Sequence, residues 1–400
     1  MTDLTTLNAA KAAAQHAIDQ ISEDLRAISL SIHDRPELGF EEHHAHQVLT
    51  DYLEQNGFAV TRGAYEMPTA FRAVAGSGEP TVAVLCEYDA LPEIGHACGH
   101  NLIAINGIAT ATALKEVIGE GAGTIVVLGS PAEEGGGGKI RLIERGAFES
   151  VDFALLLHPS MQDGVRPALT GVESCTVEYF GRNAHAAARP QEGINALDAL
   201  VLAYNAIAVL RQQIPSDARI HGVITKGGVR ANIIPDYTAA NFLVRSTDNV
   251  RLQDLRRRVQ ACFDGAALAT GCRVEARWNE QPYRAMETNT VLARAFHENA
   301  RLLGWPLPSP DRETPSGASS DMGNVSHVVP SIQPTYAIPS GAGNHNAGFT
   351  AAAATPEAHA AAVRAAKALA MTALDALFRP EVLAAASEDF RATHPLTERS

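Results

Sequence analysis

Cysteine, positive charge and long apolar runs are scarce in this sequence of 400 residues. The five cysteines are scattered and odd in number, which excludes a disulfide scaffold and favours a reducing compartment. Lysine and arginine number 32 against 45 aspartates and glutamates, and the net charge of −13 argues against nucleic acid or an anionic membrane as a partner. Neither an apolar run of about 18 residues nor a basic start before an apolar run is present. We therefore expect a cytoplasmic protein without a signal peptide or a membrane span.

The remaining composition is that of a folded protein, with 46% hydrophobic and 19% charged residues. At about 150 residues per domain, the length predicts two or three domains. Apolar residues at steps of three and four from Ile18 to Ile32 predict one amphipathic helix, and a second is predicted over 43–56. The polar chain after Arg379 is expected to be loosely held.

Short apolar runs predict three strands of a sheet that is buried on both faces. A helical segment at 101–117 separates the first two runs, so we predict an α/β layered domain with a mostly parallel sheet. Titratable residues follow each run, at the edge where open α/β sheets place their active sites. The three runs are Val82–Cys86, Thr124–Leu128 and Phe153–Leu157.

From about Leu169 the pattern changes to a β-α-β-β-α-β order, which is typical of a ferredoxin-like α+β unit. We therefore predict a domain at 169–282 that is inserted into a catalytic domain formed by 1–168 and 283–400. An alanine-rich helix is predicted to begin at Pro356, with Thr355 as its N-cap. The strands of the inserted unit are predicted at 172–180, 219–226, 237–245 and 273–278, and its helices at 190–212 and 252–269.

Residue types that bind metals gather at these strand ends and in glycine-rich loops. Cys98 and His100 flank a glycine, which fits a metal-binding loop and, equally, a loop cysteine beside solvent-exposed histidines. Glu133 and Glu134 precede four glycines, and a dication would relieve their mutual repulsion. Three further histidines, His158, His185 and His345, are each more typical of a packed or loop residue when taken alone. Together these residues suffice for a two-metal hydrolase, and the residues alone leave its substrate open.

As a set, the motifs resemble the aminoacylase/carboxypeptidase family of co-catalytic metallopeptidases and amidohydrolases (clan MH) over nearly the whole chain. The Cys-Gly-His form at 98–100 is typical of its amidohydrolase branch, and 317–326 is most similar to aminobenzoyl-glutamate hydrolase and β-alanyl-lysine dipeptidase-like members. Two departures stand out: Glu87 replaces a ligand histidine of many members, and Asn101 replaces the usual aspartate. The other matching segments are 89–92, 96–101, 131–135, 181–190 and 232–236.

The resemblance implies two divalent metal ions per subunit, zinc or manganese with cobalt as a substitute, on Cys98, His100, Glu134, His158 and His345. It implies that Glu133 is the general base and that Asp89 supports the metal site. His185 would stabilise the oxyanion from the neighbouring subunit of a homodimer, in which the inserted domain serves as lid and interface. Asn232 and Arg245 would grip a substrate carboxylate.

The function that follows is a metal-dependent amidohydrolase, which releases a free amino acid from a small N-acyl or aroyl amino acid or a related dipeptide. The alternatives are a true dipeptidase or exopeptidase and, less favoured, a non-catalytic homologue.

Overall fold

The computed structural model describes residues 4–119 and 121–394, which divide into two compact units. The second unit is Leu169–Ala285 together with Gly317–Ser320, and the rest of the described chain forms the first unit. The role of 169–282 as a lid and dimerisation domain stays a prediction.

The first unit opens with helices, where the predicted helix around Ile18–Ile32 is wrong because the chain breaks at Ile21 into two helices. The Ser22 hydroxyl donates to the Asp19 carbonyl at this break, and both helices still bury their apolar faces. The elements are α1 (Leu4–Gln20), α2 (Ser22–His33), α3 (His43–Gln55), β1 (Ala59–Arg62), β2 (Phe71–Ser77), β3 (Thr81–Glu87), α4 (His100–Val117), β4 (Gly123–Ser130), α5 (Gly138–Glu144), β5 (Phe153–Leu155), β6 (His158–Ser160) and β7 (Pro167–Ala168).

A six-stranded sheet of order β1-β2-β4-β3-β5-β13, where β13 is Ser331–Ile332, forms the centre of this unit. The four strands β4, β3, β5 and β13 are parallel, and β1 and β2 add an antiparallel edge, so the mostly parallel sheet is confirmed. All seven residues of β3 are buried, as its unbroken apolar run predicts. Because Glu87 pairs with Ser130 at the ends of β3 and β4, the loops after both strands emerge at the same edge.

After the second unit, the chain returns with helices that cover the sheet. Residues 100–114 of α4 are all buried, and α4 packs against the alanine-rich helix α11 (Pro356–Phe378), for which Thr355 is the N-cap as predicted. The elements are α8 (Thr290–Leu302), β12 (Thr314–Pro315), α9 (Met322–Val325), β13, β14 (Thr335–Ala337), α10 (Ala347–Ala352), α11 (Pro356–Phe378) and α12 (Pro380–Thr393).

Helix α12 corrects the expectation of a loosely held tail after Arg379. Its residue Asp389 accepts hydrogen bonds from the backbone and hydroxyl of Thr290, and Phe390 is buried. These tertiary contacts hold a polar helix in place, while residues 395–400 lie outside the described part of the chain. Within the described part, every helix is too short or too polar to cross a bilayer.

The second unit has the predicted β-α-β-β-α-β order and a four-stranded antiparallel sheet of order β11-β8-β10-β9. Its first helix begins at Ala196 rather than Pro190, because the Asn195 side chain accepts from the Leu197 amide at 2.9 Å and caps the helix there. The elements are β8 (Gly171–Phe180), α6 (Ala196–Leu210), β9 (Arg219–Lys226), β10 (Tyr237–Ser246), α7 (Asn249–Thr270) and β11 (Arg273–Trp278).

Candidate active site

Six of the predicted side chains meet at the carboxyl edge of the sheet in the first unit. Their donor atoms form three overlapping groups, in each of which all atoms lie within 4.8 Å of one another. Cys98 belongs to two of these groups. The groups are Cys98–His100–His158, Cys98–Glu134–His345 and His100–Glu133–Glu134.

His100 is the first residue of α4 and is held from behind by Asp89. Its Nδ1 lies 3.0 Å from Asp89 Oδ1, and because a carboxylate only accepts, Nδ1 carries the proton. The other oxygen of Asp89 accepts from the Glu134 amide at 2.9 Å, so one carboxylate positions both residues. Burial alone would raise the pKa of Asp89, but the His100 charge and hydrogen bond outweigh it and lower that pKa.

The free nitrogen of His100 faces a ring of negative charge. Its Nε2 lies 3.8 Å from a carboxylate oxygen of each of Glu87, Glu133 and Glu134. Although burial lowers the pKa of His100, the charge of Asp89 outweighs it and raises that pKa well above its usual value. A cation between this nitrogen and the carboxylates is therefore favoured, whether a proton or a metal ion.

The Nε2 atom of His158, like that of His100, faces other metal-binding side chains of the site. Its Nδ1 lies 2.7 Å from the Pro159 carbonyl, which fixes the proton there, and its Nε2 lies 3.7 Å from Cys98 Sγ. Burial lowers the pKa of His158, so the ring stays neutral and its lone pair is available. Burial first, and then the charge of Glu134, raise the pKa of Cys98, so a bound cation is needed to form the thiolate.

His345 approaches from a separate loop. Its backbone has φ +63°, and its amide donates to the Ala97 carbonyl at 2.9 Å, which holds this loop against the Cys98 loop. The ring Nε2 lies 3.3 Å from Glu134 Oε2. The neighbouring Asn344 donates to Cys98 Sγ at 3.6 Å, a contact that sequence reasoning missed.

The turn that carries Glu133 and Glu134 is tightly held. Ala132 has φ +55°, and its amide donates to Glu42 Oε1 at 2.8 Å, while Glu42 Oε2 accepts from Thr69 at 2.7 Å. A Cβ on Gly138 would lie 1.8 Å from the Pro131 carbonyl oxygen. The glycine at this position therefore permits a close backbone approach.

Behind the site lies a buried ion cluster that sequence reasoning missed. Lys139 Nζ lies 2.6 Å from Glu87 Oε1 and 2.5 Å from Asp321 Oδ1, and all three side chains have no exposed surface. Burial raises the pKa of Asp321 to about 6, although Lys139 opposes the rise. Glu87, which departs from the family pattern, is thus an ion-pair partner of Lys139.

The donor set fits divalent cations that accept sulfur, nitrogen and oxygen ligands. His100 Nε2 and Glu134 Oε1 are buried and make no hydrogen bond to any described residue. Buried polar atoms are nearly always paired, so a partner is expected at this position.

The sequence matches the family "Peptidase family M20/M25/M40" over residues 83–376. The chain belongs to this family. Among its M20 relatives, the human Xaa-Arg dipeptidase is 45% identical over 95% of this chain and 92% of its own. A subunit of the p-aminobenzoyl-glutamate hydrolase of Escherichia coli K12 is 34% identical over 72% of this chain and 64% of its own.

Solved M20 structures share the fold. A dinuclear metal binding peptidase of the M20 family from Bacillus subtilis matches 90% of this chain and 99% of its own, with a TM-score of 0.72 at 19% identity. The predicted family, fold class and enzyme class are therefore confirmed: the protein is an M20 hydrolase of amide bonds. The individual residue roles stay predictions.

Three predicted residues of this M20 chain lie in the second unit. His185 is exposed, and its Nδ1 accepts from the amides of Ala187 and Ala188 at 3.3 and 3.2 Å, so the neutral ring carries its proton on Nε2. The Asn232 carbonyl accepts from the Ala186 amide at 3.1 Å, which brings this loop beside His185. Arg245 lies on β10 and donates to Ser319 Oγ at 2.8 Å.

Proposed function

We propose that the protein is a dinuclear metal-dependent dipeptidase, which hydrolyses dipeptides or N-acyl amino acids and releases the C-terminal amino acid. The observation that carries this proposal is that Cys98 belongs to two adjoining donor groups beside Glu133. The identity of 45% with the human Xaa-Arg dipeptidase makes dipeptides with a C-terminal arginine the first candidates. N-Acyl amino acids remain the second candidate.

In this proposal the five ligand-type side chains hold the cations, which would polarise the amide carbonyl and acidify a water molecule. Glu133 would take a proton from the attacking water and pass it to the leaving amine. Burial first, and then the charges of Glu87 and Glu134, raise the pKa of Glu133 well above its usual value. A carboxylate with a raised pKa is a stronger proton acceptor. The ligands in this assignment are Cys98, His100, Glu134, His158 and His345.

Residues of the second unit would orient the substrate. Arg245 and Asn232 would bind the carboxylate of the released amino acid, since a guanidinium and an amide both donate hydrogen bonds to carboxylate oxygens. His185 would donate from Nε2 to the oxygen that becomes negative during attack. The acceptance of two backbone hydrogen bonds by Nδ1 supports this role, because it leaves Nε2–H as the donor.

We also propose a homodimer formed through the second unit, with His185 acting in the neighbouring protomer's site. Strand β9 lies at the sheet edge and exposes Val223 and Ile224, and α6 exposes Val201, Leu202 and Val209. An apolar edge strand of this kind favours pairing with a second copy. His185→Ala and Glu133→Gln, each inactive alone, should regain activity when mixed after protomer exchange. Proven exchange without recovery would exclude His185 acting between protomers.

Substrate and metal dependence can be tested together. Ala-Arg and propanoyl-Arg differ only in the α-amine, and Ala-Arg and Ala-Glu differ only in the C-terminal side chain. A dipeptidase should cleave Ala-Arg much faster than propanoyl-Arg, as measured by amino acid release. Chelation should abolish activity, and Zn²⁺, Mn²⁺ or Co²⁺ should restore it. Full activity in a verified metal-free preparation would contradict the proposal.

A further inference from the structure

A second cluster of metal-binding side chains lies away from the site described above. One oxygen of Glu287 and one ring nitrogen each of His327 and His394 lie within 4.8 Å of one another. His327 precedes the amino end of β13, whereas the candidate active site lies at the carboxyl edge of the same sheet. Glu287 precedes α8, and His394 follows the last turn of α12. The cluster therefore joins three separate segments of the first unit.

The three side chains of this cluster bring their nitrogen and oxygen atoms close together. His394 Nε2 lies 2.9 Å from His327 Nδ1 and 3.2 Å from Glu287 Oε2. His394 Nδ1 lies 3.1 Å from the Phe390 carbonyl oxygen and 3.0 Å from the Thr393 hydroxyl, and both can accept a hydrogen bond from Nδ1. When Nδ1 carries the proton, Nε2 presents a lone pair to Glu287 and His327. In that tautomer a metal ion could bind between His394 Nε2 and the Glu287 carboxylate.

The cluster is also held in place before any ligand binds. The Glu287 amide donates to Ser326 Oγ at 3.0 Å, which fixes it beside the His327 loop. The His394 ring stacks on Phe390 with ring centres 4.5 Å apart. A ligating histidine commonly donates its other N–H to a backbone carbonyl, which is the arrangement of His394 with Phe390. The side chains of His394 and Glu287 are 12% and 38% exposed, so solvent ions can reach them.

We propose that Glu287, His327 and His394 bind one divalent transition-metal ion, with Zn²⁺ as the best-fitting class. Two imidazoles and one carboxylate are a common zinc donor set, and solvent would complete the coordination shell. The ion would tie the end of α12 to the loops before α8 and β13, so its effect would be on stability.

The test compares the full-length protein with His394→Gln and His327→Gln, and uses His297→Gln on α8 as the matched control. After dialysis against ZnCl₂ at pH 7.5, elemental analysis should give one zinc fewer per chain in each cluster variant than in wild type and control. ZnCl₂ should also raise the melting temperature of wild type and control more than that of the cluster variants. Equal zinc counts in all four proteins would overturn the proposal.

Two further measurements keep the test decisive if a histidine variant misfolds. Glu287→Gln keeps the side-chain size, and it should weaken zinc binding at this site by at least about 100-fold, since loss of even an outer hydrogen-bond partner costs about 10–100-fold. In unmodified wild type, ZnCl₂ should protect His327 and His394 from diethyl pyrocarbonate, read by peptide mass spectrometry. Unchanged labelling of both histidines would overturn the proposal without any mutation. Because the comparison counts zinc at this cluster alone, its failure leaves the proposed dipeptidase function intact.

Discussion

Replacing Lys139 with methionine should destabilise the first unit by about 3–5 kcal/mol, the usual cost of removing one partner of a buried ion pair. Lys139 Nζ contacts Glu87 and Asp321, and none of the three side chains has exposed surface. A third carboxylate, that of Glu133, groups with these two within 4.8 Å. Methionine has a similar length, so the loss would come from unbalanced negative charge rather than from packing.

The melting temperature of the metal-loaded protein is the appropriate measurement. Domains of 150–250 residues lose about 2–4 °C per kcal/mol, so we expect a fall of at least about 6 °C. Lys367→Met is the matched control, because Lys367 pairs at 2.5 Å with Asp19, whose side chain is 57% exposed. A pair with one exposed partner contributes at most about 1 kcal/mol.

A double variant tests the electrostatic cause. In Asp321→Asn one carboxylate is already neutral, so adding Lys139→Met should cost about 0.5–3 kcal/mol less than in wild type. Two results would refute the reasoning: a Lys139→Met melting temperature equal to that of Lys367→Met, or strict additivity in the double variant.

Three other predictions concern the rest of the first unit. Glu133→Gln should retain its metal, as measured by elemental analysis, and its turnover should fall by about 10²–10⁴-fold. Glu134→Gln should instead lose metal. The reverse pattern would exchange the roles of the two residues. Lys11→Met should cost about 3–5 kcal/mol, because Lys11 is buried 2.7 Å from Asp375; an unchanged melting temperature would contradict this. Burial lowers the pKa of His359. Below about pH 6.5 the unfolded chain therefore binds a proton that the native state does not bind, and the free energy of unfolding falls. His359→Gln should therefore lose less melting temperature than wild type between pH 7.5 and 5.5, and equal losses would refute this.

The sequence predicted those elements whose pattern is set by burial alone. Strand β3 appears as an unbroken apolar run because both of its faces are covered, and β9 and β11 have the predicted bounds. Strand β1 was missed because its four residues are mostly exposed and carry no apolar pattern. Helix α12 was missed because only Ala386 and Phe390 are buried on it.

The residues of the candidate site that could bind metal were predictable from the sequence, whereas the residues that hold them in place were much less so. Cys98, His100 and Glu134 are close in sequence to strand ends or glycine turns, which a sequence displays. Lys139 pairs with Asp321 at a separation of 182 residues, and Glu42 accepts from Ala132 at a separation of 90. No local pattern encodes such partners, because the tertiary fold alone brings them together.

Charge balance links the supporting residues to the proposed chemistry. Five carboxylates, those of Glu87, Asp89, Glu133, Glu134 and Asp321, surround the site with Lys139 as the buried ammonium among them. If all five were ionised, four negative charges would remain, and two divalent cations would neutralise them. The thiolate of Cys98 would then leave one net negative charge, so the resting site could hold Glu133 ionised and ready to accept a proton from water. Glu133 is the natural place for that proton, because burial and its carboxylate neighbours raise its pKa well above the usual value. The same surroundings that make Glu133 costly to ionise would therefore make it suited to carry a proton from water to the leaving amine.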